Sequence, residues 1–237
     1  MPLLKLLRLL NYPILQQLQL EEALLRADKG NWCLLNQGTP DAVVMGISGK
    51  AEELVDLIRL HERQLPLIRR FSGGGTVLVD RNTCFVTLIC NESAVPIKPF
   101  PEPIMQWNAR LYINLLKEAN FSKQANDYAL GNKKFGGNAQ SIVKGRWLHH
   151  SSLLWDYCPD KMQVLLQPKK TPEYRADRSH TAFLCTLKEH LPSKEHLNHG
   201  ILQALQQFFT IEEVKQENVM PILESPHRRA TTLLHPN

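Results

Sequence analysis

The sequence predicts a mixed α+β fold, and three observations predict it. Short apolar runs bounded by turn residues recur along the chain, as at Leu3–Leu10, Ala42–Ile47 and Cys84–Cys90. Between them lie amphipathic stretches of helical period, at Ile14–Lys29 and Ile104–Ala119. No internal repeat and no clear linker divides the 237 residues, and a hydrophobic fraction of 43% suits a packed core. One domain over 1–237 is therefore expected, with 211–237 as a peripheral tail.

Taken in order, Leu3–Leu10 reads as a first strand, ended by Asn11 and Pro13. In Ile14–Lys29 the residues Ile14, Leu15, Leu18 and Leu25 mark a helix that Gly30 stops. Trp32–Leu35 and Ala42–Ile47 read as strands around a Gly-Thr-Pro turn, and Ala51–Glu62 as a second helix. Strands at Leu67–Phe71 and Thr76–Val79 flank a glycine loop, and Cys84–Cys90 is a buried strand. Val95–Pro103 holds four prolines and reads as a loop. Ile104–Ala119 then carries Ile104, Trp107, Leu111 and Leu115 on one helical face, a core pattern. Asn126–Leu130, Lys133–Val143 and Trp147–Trp155 form a second β region, with a turn at Gly145. Pro168–His180 reads as a polar loop, Ser193 as the cap of a helix running to Phe209, and residues from Pro221 onward as peripheral.

A net charge of +5 favours acidic partners. The basic pairs Lys169-Lys170 and Arg228-Arg229 are short and lack interleaved aromatics, which argues against nucleic acid. Five scattered cysteines without a C-x-x-C pair read as reduced thiols rather than a disulfide frame or zinc site. The start, MPLLKLLRLLNYP, is too short and interrupted for a membrane span and lacks a small-residue cleavage site. A cytoplasmic monomer is expected. Because no acid precedes Glu21, a mitochondrial or plastid address is the alternative.

Two segments carry chemistry. In Leu67–Asp80, LIRRFSGGGTVLVD, three consecutive glycines suit neither helix nor strand. They allow several backbone N–H groups to approach one anion, and Arg69 and Arg70 add fixed charge. A hairpin loop flanked by surface arginines is the plainer alternative. In Lys133–Gln140, KKFGGNAQ, a lysine beside paired glycines can reach a phosphate as a point charge, or can cap a solvated hairpin. Asn126-Asp127 offers a carboxylate for Mg2+ or a turn. His149 and His150 are adjacent on a strand and so point to opposite faces. Cys158 is a nucleophile only if a base lies close.

RRFSGGGTVLVD, RNTCFVTLIC, Asn126-Asp127, KKFGGNAQ and LHHSSLLWD, in that order, resemble the lipoate–protein ligase family. The resemblance covers roughly residues 3–210, most densely Arg69–Asp156. It implies a mixed, largely antiparallel sheet with flanking helices, as in biotin and lipoate protein ligases. It implies that ATP, with Mg2+, activates lipoate to lipoyl-AMP, and that a lysine of a lipoyl-domain acceptor then takes the lipoyl group. Such acceptors are 2-oxoacid dehydrogenase E2 subunits or the glycine cleavage H protein. Carried over by position, Arg70 contacts the nucleotide, and Gly73, Gly74, Gly75, Thr76, Val77 and Leu78 line the adenylate. Lys134 is the catalytic lysine; Asn126, Asp127 and Ser152 match nearby positions, with Asp127 as the implied metal ligand.

The match has departures. Val79 stands where the family commonly has His, and His149-His150-Ser151-Ser152 replaces His-His-Gly-Thr. A chain of 237 residues is expected to leave no room for the accessory domain of many bacterial members, so a separate accessory protein, a preformed adenylate or an adaptation to the loss is implied. A cysteine-dependent octanoyl or lipoyl transferase of the same fold is the nearest rival, with a non-catalytic adenylate binder behind it. A biotin ligase is weaker, because its Gly-Arg-Gly loop is missing.

Overall fold

The computed structural model describes residues 1–167 and 171–235, so the Lys169-Lys170 pair and the start of the expected Pro168–His180 loop lie outside the described residues. The chain opens with β1 (Leu3–Leu10), α1 (Ile14–Ala27), β2 (Asn31–Gln37) and β3 (Ala42–Met45). Two short helices, α2 (Ala51–Leu54) and α3 (Leu57–Glu62), lead to β4 (Leu67–Arg69), β5 (Val77–Val79) and β6 (Thr83–Asn91). Next come α4 (Pro101–Ile113), β7 (Phe121–Gln124), β8 (Asp127–Leu130), β9 (Lys133–Val143) and β10 (Arg146–Leu154). The last third holds α5 (Pro159–Met162), α6 (His180–Phe183), α7 (Lys194–Leu205), β11 (Thr210–Val214), α8 (Met220–Glu224) and β12 (Thr232–Leu234).

Among the described residues the strands form two sheets, ordered β11-β1-β2-β6-β10-β9-β8-β7 and β12-β4-β3-β5. In the larger sheet β1 pairs parallel with β2 and β11, and the remaining pairings are antiparallel. A parallel neighbour needs a crossover, and α1 supplies it between β1 and β2. The fold is thus mixed and largely antiparallel with flanking helices. One core packs α4 and α7 through Trp107, Leu197 and Ile201 against Trp147 of β10. A second packs α1 through Leu20 and Leu24 on Leu34 and Leu148. A third joins Ile14 and Leu18 of α1 to Val44, Val79 and Phe85, between the smaller sheet and β6.

The expected helix at Ala51–Glu62 is broken. Val55 is extended, 2% exposed and bridged to Leu165, and Asp56 caps α3 by accepting from the Arg59 N–H at 3.1 Å. Burying Val55 and capping α3 with Asp56 outweigh continuing the helix through these two residues. The α4 helix begins three residues earlier than expected because Pro101 fits a first helical turn. It stops at Ile113, with a 3-10 turn at Lys117–Ala119 covering the rest of the expected span. The short strand β7, with the sequence FSKQ, carries no apolar alternation and was not legible.

The expected peripheral tail over 211–237 is corrected for its described part. The β11 strand pairs with β1, Val219 is fully buried, and β12 pairs antiparallel with β4 from Thr232–Arg69 to Leu234–Leu67. The buried Glu22 carboxylate accepts from the N–H groups of Ala230 (2.9 Å) and Thr231 (3.0 Å), which ties this segment to α1.

Candidate active site

The strands β4 and β5 flank the triple glycine but do not pair with each other. The strand β3 lies between them, parallel to β4 and antiparallel to β5. The plain hairpin reading is therefore corrected: the glycine loop crosses over the end of β3. Gly46 sits at that end, and a Cβ there would overlap the Gly74 carbonyl oxygen. Gly74 itself has φ +92°, a conformation that side chains rarely adopt.

Arg70 holds the loop from beneath. It is 5% exposed, and its Nε donates to Ser72 Oγ (3.0 Å) while its Nη2 donates to the carbonyls of Gly73 (2.5 Å) and Gly75 (2.9 Å). Burial pulls Arg70 down to about 10, with the Glu21 charge acting in the opposite sense, so it stays cationic at neutral pH. The carbonyls of Gly73 and Gly75 are thereby occupied. The N–H groups of Gly73 to Thr76 have no acceptor among the described residues. Arg70 was expected to touch the nucleotide; it lines the cavity, and its donors also shape the loop.

Lys134 reaches the same place from the other sheet. The β8–β9 register shifts between Tyr128 and Ala129, which inserts one extra residue in β9. Such a bulge re-aims a side chain. Phe135 goes fully into the core against Tyr128, while Lys134 shares a face with Gly137. A Cβ on Gly137 would lie 3.3 Å from Lys134 Nζ and 3.6 Å from Ser152 Oγ. Lys134 Nζ pairs with Asp127 Oδ1 at 2.7 Å, and the Tyr174 hydroxyl donates to Asp127 Oδ2 at 2.8 Å. Burial, and then the Asp127 charge, push the Tyr174 phenol well up, so it remains a donor.

Both Asp127 oxygens are thus engaged. No group of three His, Cys, Asp or Glu side chains gathers for a metal ion among the described residues. Asp127, expected as a Mg2+ ligand, here positions Lys134 and accepts from Tyr174.

These elements enclose a cavity of about 550 Å3. Gly74, Gly75, Thr76, Val77 and Leu78 line one side, and Asn126, Asp127, Lys134 and Ser152 another, with Arg70 also in the wall. Gly73 does not line it, although its amide is free. The loop and β9 touch: a Cβ on Gly74 would lie 3.4 Å from Ala139 Cβ. Part of the wall is apolar, with Ile14, Leu18, Val44, Val79 and Phe85 packed in one cluster. Near the loop, Thr76 Oγ1 is buried without a partner among the described residues, an orphan that a ligand oxygen would satisfy. Charged and polar groups together with an apolar cluster in one wall suit an amphipathic acyl-phosphate ligand.

The two histidines do point apart. His149 lies in the core within 3.2 Å of the Tyr128 hydroxyl, and burial, with a smaller push from His150, takes it down to about 3, so it is neutral. His150 lines the cavity, with Nδ1 2.8 Å from Glu21 Oε2 and Nε2 2.9 Å from Ser72 Oγ. Glu21 is fully buried and also accepts from Gln17 (2.8 Å) and Thr87 (2.7 Å). A hydrogen-bonded chain, Glu21–His150–Ser72–Arg70, therefore underpins the glycine loop. Sequence reasoning missed Glu21 and Ser72; the one visible signal was an acid pair set among the leucines of α1. None of the five cysteines lines the cavity, Cys158 included.

A family model of the lipoyl protein ligase A/B catalytic domain matches residues 13–217. The chain belongs to this family. Among curated relatives, a Plasmodium falciparum protein described as inactive lipoate–protein ligase 2 is 32% identical over 196 residues, 68% of this chain and 50% of that one. The Bacillus subtilis lipoate–protein ligase LplJ is 29% identical over 157 residues, 65% of this chain and 46% of that one. The chain spans about half the length of the curated relatives it matches. The lipoyl ligase fold itself is shared with a lipoate–protein ligase A solved with bound ATP, at TM-score 0.76, 18% identity and coverage of 94% and 92%. The same holds for T. acidophilum Ta0514 with bound lipoic acid, at TM-score 0.76, 16% identity and coverage of 94% of each chain. In this lipoyl ligase domain Val79 is buried and extends the apolar part of the wall.

Proposed function

We propose that this chain is the catalytic domain of an ATP-dependent lipoate–protein ligase. One observation carries the reading: the free amides of Gly74, Gly75 and Thr76 and the Lys134 ammonium border one cavity whose wall holds an apolar cluster. A carboxylate is a poor acyl donor, so it needs activation. In the first step a lipoate carboxylate oxygen attacks the α-phosphorus of ATP, the acyl–phosphate bond forms, and the bond to pyrophosphate breaks. In the second, the ε-amine of an acceptor lysine attacks the acyl carbon, AMP leaves with the bonding electrons, and the amine loses its proton. Lys134, steadied by Asp127, and the loop amides stabilise the negative charge that develops on phosphate and carbonyl oxygens. The apolar wall takes the acyl chain. Mg2+ would arrive on the ATP phosphates, which require few protein ligands of their own.

The acceptors are lipoyl domains of E2 subunits or the H protein, and an accessory protein is a further partner. A T. acidophilum structure is described as a bi-partite lipoate protein ligase with its E2 lipoyl domain, which supports that arrangement. A second reading, a non-catalytic adenylate binder of the same fold, is favoured by the relative described as inactive. The cysteine transferase loses support, because no thiol lines the cavity and burial pushes Cys185 up.

The test is pyrophosphate release from lipoate, ATP and Mg2+, followed by mass measurement of an acceptor lipoyl domain. Ligation is expected, and Lys134→Ala should lower it about 100-fold or more with unchanged melting. Binding of lipoyl-adenylate with neither pyrophosphate release nor transfer to the acceptor would select the second reading. Full activity in Lys134→Ala would remove that residue from the mechanism.

A further inference from the structure

Arg175 is a cation for which the reaction above has no use. It closes the 3-10 turn at Glu173–Arg175 and is 5% exposed. Its Cζ lies 5.0 Å from the centre of the Phe183 ring, and its Nε donates to the Arg178 carbonyl at 3.0 Å. Its Nη2 is buried and has no hydrogen-bond partner among the described residues. Arg175 and Phe183 both line the cavity.

A buried donor on a permanently charged group is costly to leave unpaired. The other cations in the cavity wall are already engaged. Arg70 is held by the carbonyls of Gly73 and Gly75, and Lys134 by Asp127 at 2.7 Å. Among the lysines and arginines of the described wall, only Arg175 keeps a buried donor without a partner. It also adjoins Tyr174, which binds the same Asp127 that holds Lys134. Burial, and then the charges of Arg175 and Lys134, push His180 down, so both cations act on one imidazole.

We propose that Arg175 binds the phosphate of the acyl-adenylate, completing with the loop amides and Lys134 an anion site built from three separate segments. The proposal rests on the ligase reading. Guanidinium matches a phosphate with two parallel N–H donors, whereas Lys134 offers a point charge. The orphaned donor then has a purpose: leaving it unpaired carries a cost that the ligand relieves, as at other functional positions where stability is sacrificed.

Calorimetric titration of the full chain with AMP, with lipoate and with lipoyl-adenylate tests this, alongside melting curves without ligand. Arg175→Gln should weaken AMP and lipoyl-adenylate at least tenfold and change lipoate affinity by less than twofold. Its ligand-free melting temperature should equal or exceed that of the wild type. Arg175→Lys should keep AMP affinity within a few fold of wild type. AMP binding by Arg175→Gln at wild-type strength would overturn the assignment while leaving the ligase reading intact. So would lower ligand-free melting in both variants, which would make the side chain structural. Failure of the wild type to bind AMP and lipoyl-adenylate alike would overturn the ligase reading and this proposal with it.

Discussion

Gly46, Gly74 and His149 show how single positions carry the site. The glycine loop passes so close to β3 that Gly46 has no room for a methyl group, because the Gly74 carbonyl fills it. Gly46→Ala should cost roughly 1–3 kcal/mol by overpacking and displace the loop, weakening adenylate binding. Around Gly73 a Cβ would meet nothing within 4 Å, so Gly73→Ala should stay within about 0.5 kcal/mol of wild type. Urea melts and adenylate titrations of the two variants check the contrast. His149 makes a pH signature. Its folded pKa, about 3, lies below the value of about 6.5 expected unfolded, so between these values the unfolded chain binds a proton the folded chain refuses. Its contribution is complete above pH 6.5 and declines as pH falls, by roughly 2 kcal/mol at pH 5. His180, also pushed down by burial and by Arg175 and Lys134, acts in the same direction. The urea midpoint should therefore drop from pH 7 to pH 5, and drop less in His149→Gln; equal slopes would remove His149 from the effect.

The α1 helix joins the site to the chain's last described strand through two neighbouring acids. Glu21 faces His150 and the loop, and Glu22 receives the N–H groups of Ala230 and Thr231. The β12 strand then pairs with β4, the strand that delivers Arg70 and the glycines. Glu22→Ala would strand two backbone donors and the Arg26 guanidinium, at roughly 2–4 kcal/mol. Amide hydrogen exchange should accelerate in β12 and β4 before it does in β6; uniform acceleration would mean that this clamp is not a separate unit. The elements also mark what periodicity conveys. The strands Leu3–Leu10 and Lys133–Val143 were read with their bounds intact, because long apolar or turn-bounded runs leave little choice. The helix over Ala51–Glu62 was not, because Val55 leaves helical geometry to pair with Leu165, far along the chain.

At the scale of the whole molecule, the site is where two sheets meet across α1. That meeting was only half legible. The glycine loop and Lys134 stood out because each packs its chemistry into a few adjacent residues. The Glu21–His150 pair, 129 positions apart, and the orphaned Arg175 gain meaning only from the folded arrangement. The same is true of β3 lying between β4 and β5, which turns an ordinary glycine hairpin into a crossover with its amides exposed. Everything functional then depends on those amides and the Lys134 ammonium serving one ligand. A crystal structure of the chain with lipoyl-adenylate measures this directly. The acyl-phosphate should lie between the 73–78 backbone and Lys134, with the acyl chain among Ile14, Leu18 and Phe85. An adenylate bound elsewhere, with this cavity unaltered, would contradict the account.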